Sequence, residues 1–191
     1  MQGDEPFDVL LICTANICRS PMAEGLLRSA GPPARVSSAG FLREGSPPAP
    51  DAVKAMRELG VDIAAHRSRL VDAGLVRRAD LVLTMERSHA RELIILDPEA
   101  RSRIFTIRSF ALALGRRGAF DERPLGDLLD ELNRNRPAGS LTGTGTDDLP
   151  DPFGRRFKHF RTTAEELAGH TRLVAQALVA AALSTSPGDH R

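Results

Sequence analysis

The clearest signal along the chain is a change of hydrophobic period near its start. Phe7–Cys13 (FDVLLIC) is an apolar run broken only by Asp8, the pattern of a strand buried on both faces in a parallel sheet. After Arg19-Ser20-Pro21 the period becomes helical at Met22, Leu26 and Leu27, with Ser20 as the expected N-cap, Pro21 in the first turn and Gly31 beyond the end. The opening therefore reads as strand, tight loop, helix. A second strand is predicted over 35–39, and the Pro-rich stretch 46–50 leads into a helix over 51–59 stopped by Gly60. ADLVLT, residues 79–84, reads as a third buried strand with a helix over 86–96 behind it. Residues 104–107 predict a fourth strand, followed by a short helix over 108–114. Strands alternating with helices predict right-handed βαβ units and a doubly wound α/β fold: a parallel four-stranded sheet with helices on both faces. Ligands of such folds bind beyond the carboxyl ends of the strands, where the loop after Cys13 lies.

Farther along, Leu125, Leu128, Leu129 and Leu132 follow the i, i+3, i+4, i+7 spacing of an amphipathic helix whose partner face the sequence does not identify. Residues 137–146 (PAGSLTGTGT) offer neither periodicity nor apolar surface and read as a flexible segment. From Phe157 a long terminal helix is marked by Phe160, Ala164, Leu167, Thr171, Val174, Leu178 and Ala181, with a frayed tail expected over 184–191. No internal repeat and no linker divides the 191 residues, so one domain over 1–191 is expected.

Composition narrows the function classes. The 26 basic and 25 acidic residues give a net charge of +1, and there is no Trp or Tyr, so neither a basic stripe nor a stacking platform for nucleic acid is present. The 24 Arg against 2 Lys are scattered, which fits a coding bias better than an anion-binding cluster. Two cysteines five residues apart make no disulfide framework, and a reducing cytoplasm is the expected compartment. No window reaches the roughly 18 apolar residues of a membrane span, and no membrane partner is expected. His66, His89, His159, His170 and His190 lie far apart without ligand spacing, so neither a metal nor another cofactor is expected.

The segment that carries chemistry is Cys13-Thr14-Ala15-Asn16-Ile17-Cys18-Arg19-Ser20-Pro21. Cys13 ends a buried strand and Arg19 begins a helix, so the residues between must wrap with backbone N–H groups turned inward at a helix N-terminus. Such a loop, Thr14, Ala15, Asn16, Ile17 and Cys18 closed by Arg19, cradles a phosphate-sized anion. Its positive field favours the thiolate, the nucleophilic form of Cys13. Arg19 would add a planar fork for two oxygens. Asn16 suits a positive φ in the turn, and the Ser20 hydroxyl can donate to the thiolate.

With those residues in place, VLLICTANICRSPMAEGLL resembles the opening strand, phosphate loop and first helix of the low-molecular-weight protein tyrosine phosphatase family. Val36-Ser37-Ser38-Ala39-Gly40, His66-Arg67-Ser68-Arg69, Asp80-Leu81-Val82-Leu83-Thr84-Met85 and Leu149-Pro150-Asp151-Pro152-Phe153 resemble its later motifs. The resemblance covers most of 7–114 and 147–183 and leaves 115–146 as an insert, expected to act as a lid or docking element. It implies Cys13 as nucleophile, Arg19 as the phosphoryl clamp and Asp151 as general acid and base in hydrolysis through a phosphocysteine, without a metal. Asn16, Ser20, Ser38 and His66 match the polar network that braces the loop, though His66 read alone also fits an ordinary structural histidine. Cys18 matches a second cysteine that captures the oxidised nucleophile, and reads equally as a packed thiol.

The chain departs from the family pattern at Ala15, where Gly is common, and in a thin aromatic wall, for which Ile17, Phe41 and Phe153 are the expected residues. Apolar Ile17 resembles tyrosine-directed members, where protein-arginine phosphatases of the same fold have Thr. The run Asp-Pro-Phe-Gly at 151–154 resembles those arginine phosphatases and keeps phosphoarginine as the alternative substrate. An arsenate reductase relay needs further cysteines, and none follows Cys18. A phosphate-binding module without turnover would need neither nucleophile nor acid. The expected partners are a phosphotyrosine protein as substrate and inorganic phosphate or other oxyanions as competitors.

Overall fold

The computed structural model describes residues 6–118, 120–137, 141 and 146–185. Four strands, β1 (Phe7–Cys13), β2 (Ala34–Gly40), β3 (Leu81–Thr84) and β4 (Ile104–Thr106), form one parallel sheet in the order β2-β1-β3-β4. β1 is central, so its run is apolar on both faces. Val9, Leu11 and Cys13 join the larger core cluster, while Leu10 and Ile12 point into the smaller one.

The larger cluster is closed by α1 (Arg19–Ser29), α2 (Pro50–Glu58), α5 (Ile107–Arg117), α6 (Leu125–Arg134) and α7 (Phe157–Thr185). The other face is covered by α3 (Ala73–Arg78) and α4 (Arg87–Leu96), through Val76, Ala90 and Leu93. A six-residue 3-10 helix, Pro98–Arg103, leads into β4. The doubly wound α/β fold expected from the alternation is the fold observed. Among the described residues no helix is long and apolar enough to cross a membrane.

Several local expectations shift. α1 begins at Arg19 with Cys18 at its N-cap and no side-chain cap, because the Ser20 hydroxyl is turned to Cys13 and Asn16 instead. Ile107, expected to end β4, starts α5, where the Thr106 side chain accepts from Ser109 N and Gly118, in the left-handed region at φ 73°, stops the helix. α3 and the 3-10 helix were not expected. α6 forms over its leucine stripe, and all four leucines are buried in the larger core, with Leu128 lining a small cavity together with Ala177 and Ala180 of α7. The expected flexible segment lies mostly outside the described residues, as does the tail beyond Thr185. Ser184 and Thr185 continue α7.

Candidate active site

The loop between β1 and α1 sits at the carboxyl end of the central strand, where the sheet order changes direction. Asn16 is its pivot: fully buried and in the left-handed region at φ 53°, it brings its own N–H to 3.3 Å from Cys13 Sγ. Its side-chain amide donates to Ser20 Oγ at 2.8 Å and to Ser38 Oγ at 2.7 Å, and its Oδ1 accepts from Arg69 N at 2.9 Å. Ser20 Oγ lies 3.0 Å from Cys13 Sγ. With its oxygen already accepting from Asn16, the hydroxyl proton is left for the sulfur.

A second layer holds this one. Ser38 donates to Glu24 Oε2 at 2.5 Å, and Glu24 pairs with Arg28 at 2.7 Å. His66 Nε2 donates to the Asn16 carbonyl at 3.0 Å, with its other nitrogen 3.7 Å from Glu24. The stretch carrying His66 and Arg69 is stitched to the end of β2 by Gly40 N to Arg69 O and Val71 N to Gly40 O. At Gly40 a Cβ would stand 2.8 Å from both Asn16 N and Cys13 O and 2.9 Å from Thr14 O. Those neighbours are backbone and cannot yield, so only glycine lets β2 support the loop this closely.

Arg19 is almost wholly buried, at 1% exposure; both terminal nitrogens of its fork are directed, while Nε has no hydrogen-bond partner among the described residues. Nη1 donates to Glu86 Oε1 at 2.5 Å and to the Leu149 carbonyl at 2.8 Å, and Nη2 donates to Asp151 Oδ2 at 2.7 Å and Thr14 Oγ1 at 3.2 Å. The other Asp151 oxygen accepts from Phe153 N at 3.0 Å, which fixes the carboxylate. Burial alone would raise the Glu86 carboxyl, but the hydrogen bond and charge of Arg19 hold it below the usual carboxylate range. His89, 3% exposed, meets Thr14 Oγ1 at 2.9 Å through Nε2. Burial, aided by the charge of Arg19 and opposed by Glu86, pushes its pKa down to about 4, so the ring is neutral at pH 7.

A cavity of about 150 Å3 opens on this arrangement. Cys13, Arg19 and Asp151 line it together with Thr14, Ala15, Ile17 and Cys18, and Phe153, 59% exposed, stands at its mouth. Ala15 keeps a negative φ, so the strained position of the loop is Asn16 rather than the site of the Gly-to-Ala departure. Phe41 does not reach the wall. Its ring stacks on His89, centroids 5.7 Å apart, and Leu42 and Arg43 line the cavity instead. Cys18 is buried, and burial, with Asp151 and Cys13 nearby, pushes its thiol up to about 12. No group of side chains able to hold a metal occurs among the described residues.

Glu86, His89 and Glu24 are site residues that the sequence pattern did not single out, and Arg69, quoted only as part of a motif, joins them through its backbone N–H. Glu86 follows β3 directly at the ligand-binding edge of the sheet, and Glu24 lies one helical turn after Ser20. Those were the available signals.

A thiol facing a backbone N–H and a hydroxyl, beside a buried guanidinium and a carboxylate, is a combination suited to displacement at phosphorus. The model of a family described as low molecular weight phosphotyrosine protein phosphatase matches residues 8–121. The chain belongs to that family. Low molecular weight phosphatases similar to it include the probable low molecular weight protein-tyrosine-phosphatase EpsP of Ralstonia solanacearum, 42% identical over 100 residues, 52% of this chain and 69% of the relative. A protein-arginine-phosphatase of Geobacillus stearothermophilus is 32% identical over 165 residues, 85% of this chain and 89% of the relative. The structure of the YwlE arginine phosphatase from the same organism superposes with a TM-score of 0.69 at 30% identity, covering 91% of this chain and 93% of that one. The protein is thus a phosphatase of the low molecular weight class, whose relatives include both tyrosine and arginine phosphatases.

Proposed function

We propose that the protein hydrolyses phosphotyrosine in proteins, by two displacements at one phosphorus. The observation that supports this is that Cys13, Arg19 and Asp151 line a single cavity, with Asp151 2.7 Å from the Arg19 fork. The Cys13 thiolate attacks phosphorus. The S–P bond forms as the P–O bond breaks, and the phenolic oxygen leaves with the proton of Asp151. The loop N–H groups and the Arg19 guanidinium stabilise the charge on the equatorial oxygens, so the step needs no metal. Water then attacks phosphorus while the Asp151 carboxylate takes its proton, and the S–P bond breaks to release inorganic phosphate. Phosphate and similar oxyanions, which fit the same cradle, compete with substrate.

Tyrosine is favoured by the wall. Ile17 and Leu42 present apolar surface to a phenyl ring, and Arg43 at the same cavity opposes a cationic guanidine leaving group while suiting acidic residues around a phosphotyrosine. Phosphoarginine is the second reading, favoured by the 85% coverage shared with the Geobacillus arginine phosphatase. Phosphate release from a phosphotyrosine and a phosphoarginine peptide, side by side in reducing buffer with a chelator, separates the two. Preference for phosphotyrosine supports the first, preference for phosphoarginine replaces it, and no turnover of either defeats both.

Two free thiols fit a reducing cytoplasm as the place of work. Cys18 is close enough to line the same cavity as Cys13, but its thiol is protonated at neutral pH, so its capture of an oxidised Cys13 is slow.

A further inference from the structure

Thr14 follows Cys13 directly, is half-buried and lines the catalytic cavity. Its hydroxyl oxygen is held from two sides: Arg19 Nη2 donates to it at 3.2 Å, and His89 Nε2 lies 2.9 Å away. A hydroxyl has one proton to give and two lone pairs to accept with. Arg19 takes one lone pair. Whether the Thr14 proton is used up within the protein or left for a ligand then depends on which nitrogen of His89 carries the proton of the ring.

The His89 ring is neutral at pH 7, as its burial dictates, so it has a single N–H. Its Nδ1 is buried with no hydrogen-bond partner among the described residues. A proton there would be an orphaned donor. The Phe41 ring gives no relief, because the two planes are only 21° apart and an N–H in the imidazole plane runs along the Phe41 face instead of into it. Buried N–H groups without a partner are rarer in proteins than under-satisfied acceptors, which places the proton on Nε2, donated to Thr14. Thr14 Oγ1 then accepts twice, and its own proton has no acceptor among the described residues. We propose that Thr14 is a further catalytic residue, whose hydroxyl donates to a phosphoryl oxygen held in the loop, and that His89 is the positioning residue that keeps this proton free for it. In a transfer without a metal, one more fixed donor stabilises the charge that the loop N–H groups and Arg19 already share. The proposal rests on the phosphoryl group lying at this loop, as proposed above, and not on the choice between phosphotyrosine and phosphoarginine.

Two measurements on the whole protein test it. Nitrogen NMR of the histidine-labelled parent reads the tautomer directly, with His89 recognised as the ring that stays neutral until pH nears 4. A proton on Nε2 is expected, and a proton on Nδ1 overturns the proposal without any variant having to fold. Calorimetric titration with orthovanadate, together with kcat/KM for para-nitrophenyl phosphate, reads the Thr14 contact. Thr14→Val keeps the shape of the side chain and removes the hydroxyl, so it should weaken vanadate and lower kcat/KM by about tenfold or more, the effect of one hydrogen bond to a charged group. Thr14→Ser should recover most of both. His89→Phe keeps a ring against Phe41 but lets the hydroxyl turn away. It should lower both quantities several-fold in the parent and by less than about twofold in Thr14→Val, since a residue that acts through Thr14 has nothing left to position there. Equal losses in the two backgrounds would reduce His89 to packing and overturn its role. Unchanged vanadate affinity in Thr14→Val, or equal losses in Thr14→Ser and Thr14→Val, overturns the hydroxyl contact while leaving the phosphatase reading intact. Failure of the parent to bind vanadate defeats that reading, and the proposal with it.

Discussion

Asp151 is held by two contacts that do different things. Arg19 keeps its carboxylate at the cavity, and the N–H of Phe153 fixes its rotation. If its proton goes to the leaving oxygen, Asp151→Ala should slow phenyl phosphate by about 100-fold or more, in the range of a positioned general acid. For para-nitrophenyl phosphate, whose phenolate leaves unaided, the loss should be under about tenfold. Steady-state rates across a series of aryl phosphates check this, and an equal loss throughout would remove Asp151 from the acid role. His89 makes a separate statement about pH. Its pKa lies at about 4 in the folded protein against 6.5 when unfolded, so between those values the unfolded chain binds more protons and stability rises with pH. The protein should therefore hold its full stability above pH 6.5 and lose it as pH falls toward 4. Glu86, held below its usual 4.5, adds its own loss only as pH falls through its lower folded value. Urea midpoints at pH 6.5 and 5 should differ in the parent and converge in His89→Gln.

Among elements, α6, which lies within the 115–146 insert expected to act as a lid or docking element, is bound to the body by its whole apolar stripe. Leu129→Ala should cost about 2–4 kcal/mol, within the range for a buried leucine, measured by urea unfolding at neutral pH. A change below about 0.5 kcal/mol would show the stripe to be solvated. The strap from Thr146 to Asp151 is pinned along its length: Arg108 donates to the carbonyls of Thr146 and Asp148, the Arg87 amide to Asp148, and Thr106 to Asp147. The elements that were legible in the sequence are those with a period to read. β1 was visible because a central strand is apolar on both faces, and α6 because four leucines repeat at helical spacing. α3 and the 3-10 helix have six residues each, too few for a period, and α3 is set instead by Asp72 capping Leu75 N at 2.7 Å. In the site, Cys13 through Ser20 was legible because the loop is contiguous and its geometry local. Glu86 and the Leu149 carbonyl were not, because only the folded sheet brings them to Arg19. Phe41 was misplaced because neighbouring residues of a loop point in unrelated directions, and the sequence does not say that Leu42 and Arg43 face the cavity while Phe41 packs on His89.

At the scale of the molecule, α7 closes the larger core against α1, α2 and α5, with Phe160, Leu167, Val174 and Leu178 all buried. Removing residues 157–191 should leave a chain without a cooperative thermal transition and without phosphatase activity. Retention of either would show that the sheet and its remaining helices suffice. The tie between Arg19 and Asp151 spans 132 residues, so the guanidinium belongs to the start of the chain and its carboxylate to a much later part. During synthesis at about 5–20 residues per second, on the order of ten seconds separates their emergence. Throughout that interval the nascent chain displays a finished phosphate loop sequence without the carboxylate that answers it. If Asp151 is the acid, as proposed, turnover of substrates with poor leaving groups is acquired only once this later part of the chain has joined the loop.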